Sequence, residues 1–472
     1  MSNRAPFEPG PTGAFRRGAG GLVTAMLTVA EATGAPWVAC ARSDAERTLA
    51  KGKQPVAVRL DGELLNIRYV RPSPSEYHKY YSVISNPLLW FIQHYLWDLT
   101  HEPTIDDEVH DAWEHGYVRV NQLFAEEVAE VAKSSPNRPL ILTQDYQLYL
   151  APAGIRELLP DAAMQHFVHI PWPTPQYWKI LPQPMRDAIV HGLLANDIVA
   201  FQSTIDAHNF LLTCEQNLGL AVDMRERTVL SSGRVTWVRS YPISIDIDAL
   251  ETLAESRPVK REEETVAAAR AKQVIVRVDR TDPSKNIIRG FRAYDRLLAS
   301  HAEHRGKVQF WAFLQPSRQD VAEYREYLRA IRRTADAVNN RWRKDDWEPI
   351  RLEIGENIRR ATALYKTYDV LLINSIYDGM NLVAKEGSLV NQRDGVLVLS
   401  ENAGAHEELG EHALTVNPFD VDDTAEALHR ALTLPQAERH RRAEALRQIV
   451  RTNDLSRWVS LQLQDLRDLL RD

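Results

Sequence analysis

Tyr368-Asp369-Val370-Leu371-Leu372-Ile373-Asn374-Ser375, followed after two residues by Asp378-Gly379-Met380-Asn381-Leu382-Val383-Ala384-Lys385-Glu386, is the stretch from which the fold can be read. Its first part is an aliphatic run without alternation, the pattern of a strand buried on both faces of a parallel sheet. Its second part opens with an Asp-Gly turn and passes into a helical pattern, which puts the turn at the strand's carboxyl end. In open α/β sheets ligands gather there, and a helix starting near Asn381 would aim free N–H groups and its positive dipole end at an anion. Asp378 is placed to accept from sugar hydroxyls, and Glu386, one to two turns in, to take a ribose. Taken alone, the same residues also read as an ordinary capped turn.

Working outward, short apolar runs alternate with longer amphipathic segments over nearly the whole chain, the pattern of βα units. In the first half the expected strands are 37–40, 56–60, 65–70, 140–143, 165–170, 197–201 and 235–243. In the second half they are 273–278, 307–313, 350–354, 370–374, 395–399 and 413–416. Residues 246–271, rich in Glu, Arg and Ala, read as a solvated helical connection between the two series. The segment 454–470 repeats apolar residues at helical spacing and needs a partner surface. The expected organisation is therefore a first α/β domain over 1–245, a second over 246–453 and a terminal helix over 454–472.

Composition bounds the function. A chain of 472 residues with 57 basic and 64 acidic side chains carries a net charge of −7, which argues against nucleic acid as a partner. An anionic ligand would then depend on local arginines and lysines. The two cysteines, Cys40 and Cys214, show neither CxxC nor Cys/His spacing, so neither a disulfide scaffold nor a structural zinc site is expected. No apolar run reaches the roughly 18 residues of a membrane span. A soluble, cytoplasmic protein is expected, with no membrane partner; a homo-oligomer is left open. No GxGxxG turn follows a strand and no GxxxxGK[ST] loop occurs, so neither a dinucleotide fingerprint nor a phosphate loop of that kind is present.

Other polar residues stand at expected strand ends. Asp145 follows the strand 140–143, and His169, in Phe167-Val168-His169-Ile170-Pro171-Trp172-Pro173, ends another. Asp279-Arg280-Thr281-Asp282-Pro283-Ser284-Lys285-Asn286 closes the first strand of the second half and holds two cations across a turn. Such a pair suits a diphosphate whose charge grows as a glycosidic bond breaks, although two solvated charges would have the same spacing. Gly18-Ala19-Gly20-Gly21 precedes a helical pattern and would let backbone approach a phosphate or sugar. Ser2-Asn3-Arg4 supplies an arginine able to grip a phosphate.

Together SNRAP (2–6), GAGGL (18–22), QDYQL (144–148), FVHIPWP (167–173), DRTDPSKN (279–286), DGMNLVAKE (378–386), LSENAGA (399–405) and VNPFD (416–420) resemble, in order, the motifs of the trehalose-6-phosphate synthases. These are retaining glycosyltransferases of GT-B architecture, with two Rossmann-like domains whose parallel sheets face a central cleft and a last helix that crosses back to the first domain. The resemblance implies transfer of glucose from a nucleotide-glucose donor to glucose-6-phosphate, giving α,α-trehalose 6-phosphate, with no cofactor and no metal. It implies Arg280 and Lys285 on the donor diphosphate, Asp378 on the donor glucose, and the backbone of Gly379, Met380, Asn381, Leu382 and Val383 facing glucose and phosphate. It further implies Glu386 on the ribose, His169 on the donor sugar, Gly20 and Gly21 in the glycine loop, and Phe313 in the base pocket. On the acceptor side it implies Arg4, Tyr81, Trp90, Asp145 and Arg318, with Arg4 and Arg318 on the phosphate. Asp145, His169, Arg280, Lys285 and Asp378 form the implied catalytic set.

The chain also departs from that pattern. Gln144-Asp145-Tyr146-Gln147-Leu148 stands where the family usually has HDYHL, so the histidine is lost while the aspartate is kept. The full strand that family members carry before SNR is missing or starts late. The apolar-Ala-Pro pattern of the base pocket is altered around 313–318, which leaves UDP-glucose and GDP-glucose both open as donors. Arg359 or Arg360 stands in for a family arginine without a clean match. A transferase joining a nucleotide-linked cyclitol to an aminocyclitol phosphate, and a non-catalytic sugar-phosphate-binding homologue, remain alternatives.

Overall fold

Strands form where β-branched and aliphatic residues run without polar interruption, and helices between them bury one apolar face. In the computed structural model, which describes residues 1–9, 15–17, 26–27, 30, 33–52, 55–60, 63–133 and 138–469, the described strands are β1 (Phe7–Pro9), β2 (Phe15–Arg17), β3 (Trp37–Cys40), β4 (Val56–Leu60), β5 (Glu63–Val70), β6 (Leu140–Gln144), β7 (Ala163–Phe167), β8 (Ile198–Phe201), β9 (Ala221–Asp223), β10 (Thr228–Ser231), β11 (Arg234–Ser240), β12 (Gln273–Arg280), β13 (Val308–Gln315), β14 (Ile350–Ile354), β15 (Val370–Ile373), β16 (Val396–Ser400) and β17 (Leu414–Val416). The chain divides into one unit made of Met1–Tyr241 and Val459–Asp472, and a second made of Pro242–Trp458.

In the first unit a six-stranded sheet has the order β6-β7-β8-β11-β10-β9. Its β6, β7, β8 and β11 are parallel, and β10 and β9 extend it antiparallel. A second sheet, β3-β5-β4, lies in the same unit. Residues Met1–Asn3 run between the two: Gln144 N–H donates to the Met1 carbonyl at 3.0 Å, Ser2 N–H to Val38 at 3.1 Å, and Cys40 N–H to Asn3 at 3.2 Å. The helix Leu455–Leu469 closes this unit through Gln462, which accepts from Gln165 at 2.6 Å, and Asp465, which accepts from the Tyr241 hydroxyl at 2.6 Å.

The second unit is a six-stranded sheet, parallel throughout, in the order β14-β13-β12-β15-β16-β17. Counted along the chain from β12, this is third, second, first, fourth, fifth, sixth, the doubly wound order whose topological switch lies between β12 and β15. Its core joins Ile275, Phe310, Val370 and Val398 of the sheet to Phe291, Leu297 and Leu428 of the covering helices. The α/β class with parallel sheets read from the sequence is the class observed.

Strand boundaries differ where proline intervenes. The expected 165–170 is β7, which runs Ala163–Phe167, and the expected 235–243 ends at Ser240 before Tyr241-Pro242. The antiparallel β9 and β10, three and four residues long, carry too few residues to show a period in the sequence. Among the described residues, no helix is long and apolar enough to cross a membrane.

Candidate functional site

The turns that follow β12 and β15 carry the site of the second unit, at the switch between the strands. After β12, Asp282 caps a short turn, accepting from Ser284 N–H at 3.0 Å and from its hydroxyl at 2.8 Å. The turn ends at Asn286, held at φ +57°, whose amide donates to the carbonyls of Asn374 at 2.8 Å and Pro418 at 2.7 Å. One side chain thus ties DRTDPSKN to the end of β15 and to VNPFD. Lys285, projecting from this turn, meets Asp378 with Nζ 2.5 Å from Oδ2, both side chains 12% exposed.

Asp378 is itself fixed by Ser375 Oγ at 3.1 Å and Asn381 Nδ2 at 3.0 Å. Because Asn381, at φ +77°, turns its amide toward Asp378, it does not cap the helix Leu382–Val390, and the first-turn N–H groups carry no side-chain cap. The Asn381 Oδ1 is buried without a hydrogen-bond partner. The backbone from Asp378 to Met380 is pinned by the neighbouring loop: Asp378 N–H donates to Asn402 at 3.2 Å, and Gly404 and Ala405 N–H donate back to Asp378 at 2.9 Å and Met380 at 2.8 Å. A Cβ on Gly404 would stand 1.9 Å from the Gly379 carbonyl oxygen, so this approach needs glycine.

Further residues complete the frame. Arg280 is the last residue of β12, and Phe313 is buried in β13. Glu386, half-buried on the helix Leu382–Val390, shares a hydrogen bond with the buried Tyr365; burial raises its carboxyl above the usual range and the Tyr365 hydroxyl holds it back. Arg318, at φ +45°, lies nearly buried against the hydroxyl and ring of Tyr324, 3.5 Å from Asp282 Oδ2. Arg360 pairs with Glu353 and Glu262, whereas Arg359 is exposed.

Four residues under this site went unassigned in the sequence. Arg277, fully buried in β12, pairs with Asp279 at 3.0 Å and donates to Asn374 Oδ1 and to the Lys285 carbonyl at 3.1 Å. Burial, with Asp378 adding to it, pushes the Asp279 carboxyl up to about 6 against the pull of Arg277, Lys285 and Arg280. Lys385, buried in the DGMNLVAKE helix, pairs with Glu408 at 2.5 Å and donates to the Ile243 carbonyl at 2.9 Å. The charges at 277 and 279 inside an otherwise apolar strand were the available signal for the first pair.

In the first unit, Asp145 stands at the end of β6 with φ +75°, and its Oδ1 accepts from His169 N–H at 3.2 Å. The His169 ring lies between two amides: its Nε2 is 2.8 Å from Gln144 Oε1 and its Nδ1 2.8 Å from Gln202 Nε2. With Gln202 donating to one nitrogen, the ring is neutral and donates from the other. Burial, with His166 adding to it, drives its pKa down to about 3. Gln144, the position where the sequence departs from HDYHL, is thus the acceptor for His169. Trp90 is buried, stacked on His94 at 4.0 Å, and Tyr81 stacks on Tyr77 at 5.3 Å. Arg4 is exposed and pairs with Glu8 at 2.8 Å. The unit thus gathers Asp145 and His169 at adjacent strand ends. Gly20 and Gly21 lie outside the described residues.

The profile of glycosyltransferase family 20 matches residues 8–468. The trehalose-6-phosphate synthase of Mycolicibacterium paratuberculosis is 33% identical, over 97% of this chain and 93% of its own. The validamine 7-phosphate valienyltransferase of Streptomyces hygroscopicus subsp. jinggangensis is 31% identical, over 91% of this chain and 85% of its own. The crystal structure of a UDP-forming α,α-trehalose-phosphate synthase from Burkholderia xenovorans in complex with glucose-6-phosphate superposes with a TM-score of 0.82 at 29% identity, covering 99% of both chains.

Proposed function

The chain belongs to glycosyltransferase family 20, and from that membership we propose that it moves glucose from UDP- or GDP-glucose to glucose-6-phosphate, giving α,α-trehalose 6-phosphate and the nucleoside diphosphate. The observation that carries this reading is the Lys285–Asp378 contact at the topological switch, beside an uncapped helix start. Lys285 and Arg280 neutralise the departing diphosphate, Asp378 holds the donor glucose, the turn from Gly379 to Val383 offers backbone donors, and Glu386 takes the ribose. A diphosphate competes with Asp378 for Lys285 and frees the carboxylate for hydroxyls. Arg4, Tyr81, Trp90 and Asp145 serve the hexose phosphate.

The bond from the anomeric carbon to the diphosphate oxygen breaks, a bond from the same carbon to the acceptor hydroxyl oxygen forms on the same face, and the hydroxyl proton passes to the leaving phosphate. The protein's part is positioning and charge stabilisation.

The valienyltransferase similarity supports a second reading, a cyclitol transfer to an aminocyclitol phosphate. A screen of UDP-, GDP- and ADP-glucose against glucose-6-phosphate, with the product identified by mass, tests the first. The expected result is a phosphorylated non-reducing disaccharide with UDP- or GDP-glucose. No disaccharide from any of the three donors, with product from a nucleotide-cyclitol and an aminocyclitol phosphate, overturns it.

A further inference from the structure

A group of imidazoles lies away from the strand-end site. His301, Glu303 and His304 occupy the turn that follows the helix Ile287–Ser300, and Glu426 and His429 face them from the helix Val421–Thr433. The helix Ile287–Ser300 starts at the switch-point turn and, at 14 residues, is about 20 Å long, so the group sits at its far end.

The hydrogen bonds define what the rings offer. His301 Nε2 is 2.9 Å from Glu426 Oε1, so that nitrogen carries the proton and the neutral ring's lone pair is on Nδ1. That Nδ1 lies 3.5 Å from Glu303 Oε1, and His429 Nδ1 lies 4.0 Å from the same oxygen. Lone pairs facing a carboxylate repel one another, and a cation among them reverses the sign. One donor atom from each of His301, Glu303 and His429 falls within 4.8 Å of the others. His304 Nε2 and His429 Nδ1 share a hydrogen bond at 3.0 Å, whose proton an ion bound to both nitrogens displaces. Ligands around tetrahedral zinc, at bond lengths of about 2.0 to 2.2 Å, stand about 3.3 Å apart. The longer edges of the His301–Glu303–His429 triangle therefore have to contract by less than about 1.5 Å, His304, which stands outside that triangle, has to swing in, and one of the two stacked rings, now 3.7 Å apart at 8°, has to tilt. Glu303 is exposed and both stacked rings are partly so, which leaves them room for this.

We propose that His301, Glu303 and His429, with His304 as fourth donor, bind a divalent transition metal ion of the Zn²⁺ class. Three imidazoles and one carboxylate suit an ion of that borderline softness better than Mg²⁺ or Ca²⁺, which take all-oxygen sets. Glu426 is a positioning residue: it holds the His301 tautomer that points Nδ1 inward, as carboxylates behind zinc-bound histidines do. The ion clips the turn after one helix to the other helix. The role is structural, because the group sits at the opposite end of the helix Ile287–Ser300 from Lys285. Cysteine spacing does not mark this group: His301-Ala302-Glu303-His304 supplies two imidazoles, and the third stands 125 residues beyond His304.

The test is zinc titration of the EDTA-treated, dialysed full chain against a chromophoric chelator, with thermal unfolding alongside. One Zn²⁺ per chain is expected, with an affinity falling at least about tenfold in His301→Ala and His429→Ala, and about tenfold or more in Glu426→Gln. Zinc should raise the thermal midpoint of the wild type and leave the His301→Ala/His429→Ala variant unmoved, while both unfold alike in EDTA. Absence of stoichiometric zinc, or unchanged affinity in the double variant, overturns the proposal. So does a midpoint that responds to pH across the histidine range but not to zinc, which makes the group a proton site.

Discussion

At Gly404 the account turns on a single missing methyl group. Its Cβ would meet the Gly379 carbonyl at 1.9 Å, and both partners are backbone, so neither can swing aside. Gly404→Ala is expected to lower stability by about 1–3 kcal/mol and to lower turnover by displacing the Asp378 turn, measured by denaturant unfolding and by product formation. His166 and His169 make the second prediction at this scale. Burial takes both imidazoles down to about 3 from 6.5. Between those values the unfolded rings hold more protons than the folded ones, so their contribution is complete above about pH 6.5 and is lost as pH falls through that range. The urea midpoint should therefore drop between about pH 7.5 and pH 5, and the drop should shrink in His169→Gln. An equal slope in that variant contradicts the assignment.

The helix Leu382–Val390 shows how an element is held in place. Its Lys385 is buried against Glu408 and the Ile243 carbonyl, so the helix that carries Glu386 and follows the Asp378 turn is anchored from within. Lys385→Met leaves Glu408 without its cation, and the expected loss is about 3–5 kcal/mol, read as a lower midpoint of thermal or urea unfolding. Lys385→Arg should recover part of it. The element order was legible in the sequence because unbroken aliphatic runs such as Val370–Ile373 admit one reading. The strand-end position of Asp378 followed from it. What stayed hidden is what depends on distant partners: Arg277 reaching Asn374, Asn286 reaching Pro418, and Lys385 reaching Glu408. Each bond spans a separation that no local period encodes, and in a linear string each of those charges looks like solvated surface. The reverse also occurred, since Gln144 read as a lost histidine and the structure makes it the hydrogen-bond acceptor of His169.

For the whole molecule, a net charge of −7 means that any anionic ligand is held by local cations against the protein's average field. The second unit concentrates Arg280 and Lys285 at its topological switch, and this is where the nucleotide should bind. The most direct measurement is calorimetric titration of UDP and of GDP into the wild type, Lys285→Ala and Asp378→Asn. The account predicts that one of the two nucleotides binds the wild type and that Lys285→Ala weakens it at least about tenfold, the loss of one charge-assisted phosphate contact. Asp378→Asn, which removes the proposed sugar contact but also frees Lys285, should bind the nucleotide as well as the wild type or better and still lose turnover with the intact donor. Equal nucleotide affinity in wild type and Lys285→Ala would contradict the account, because the switch-point turn would then not be the diphosphate site.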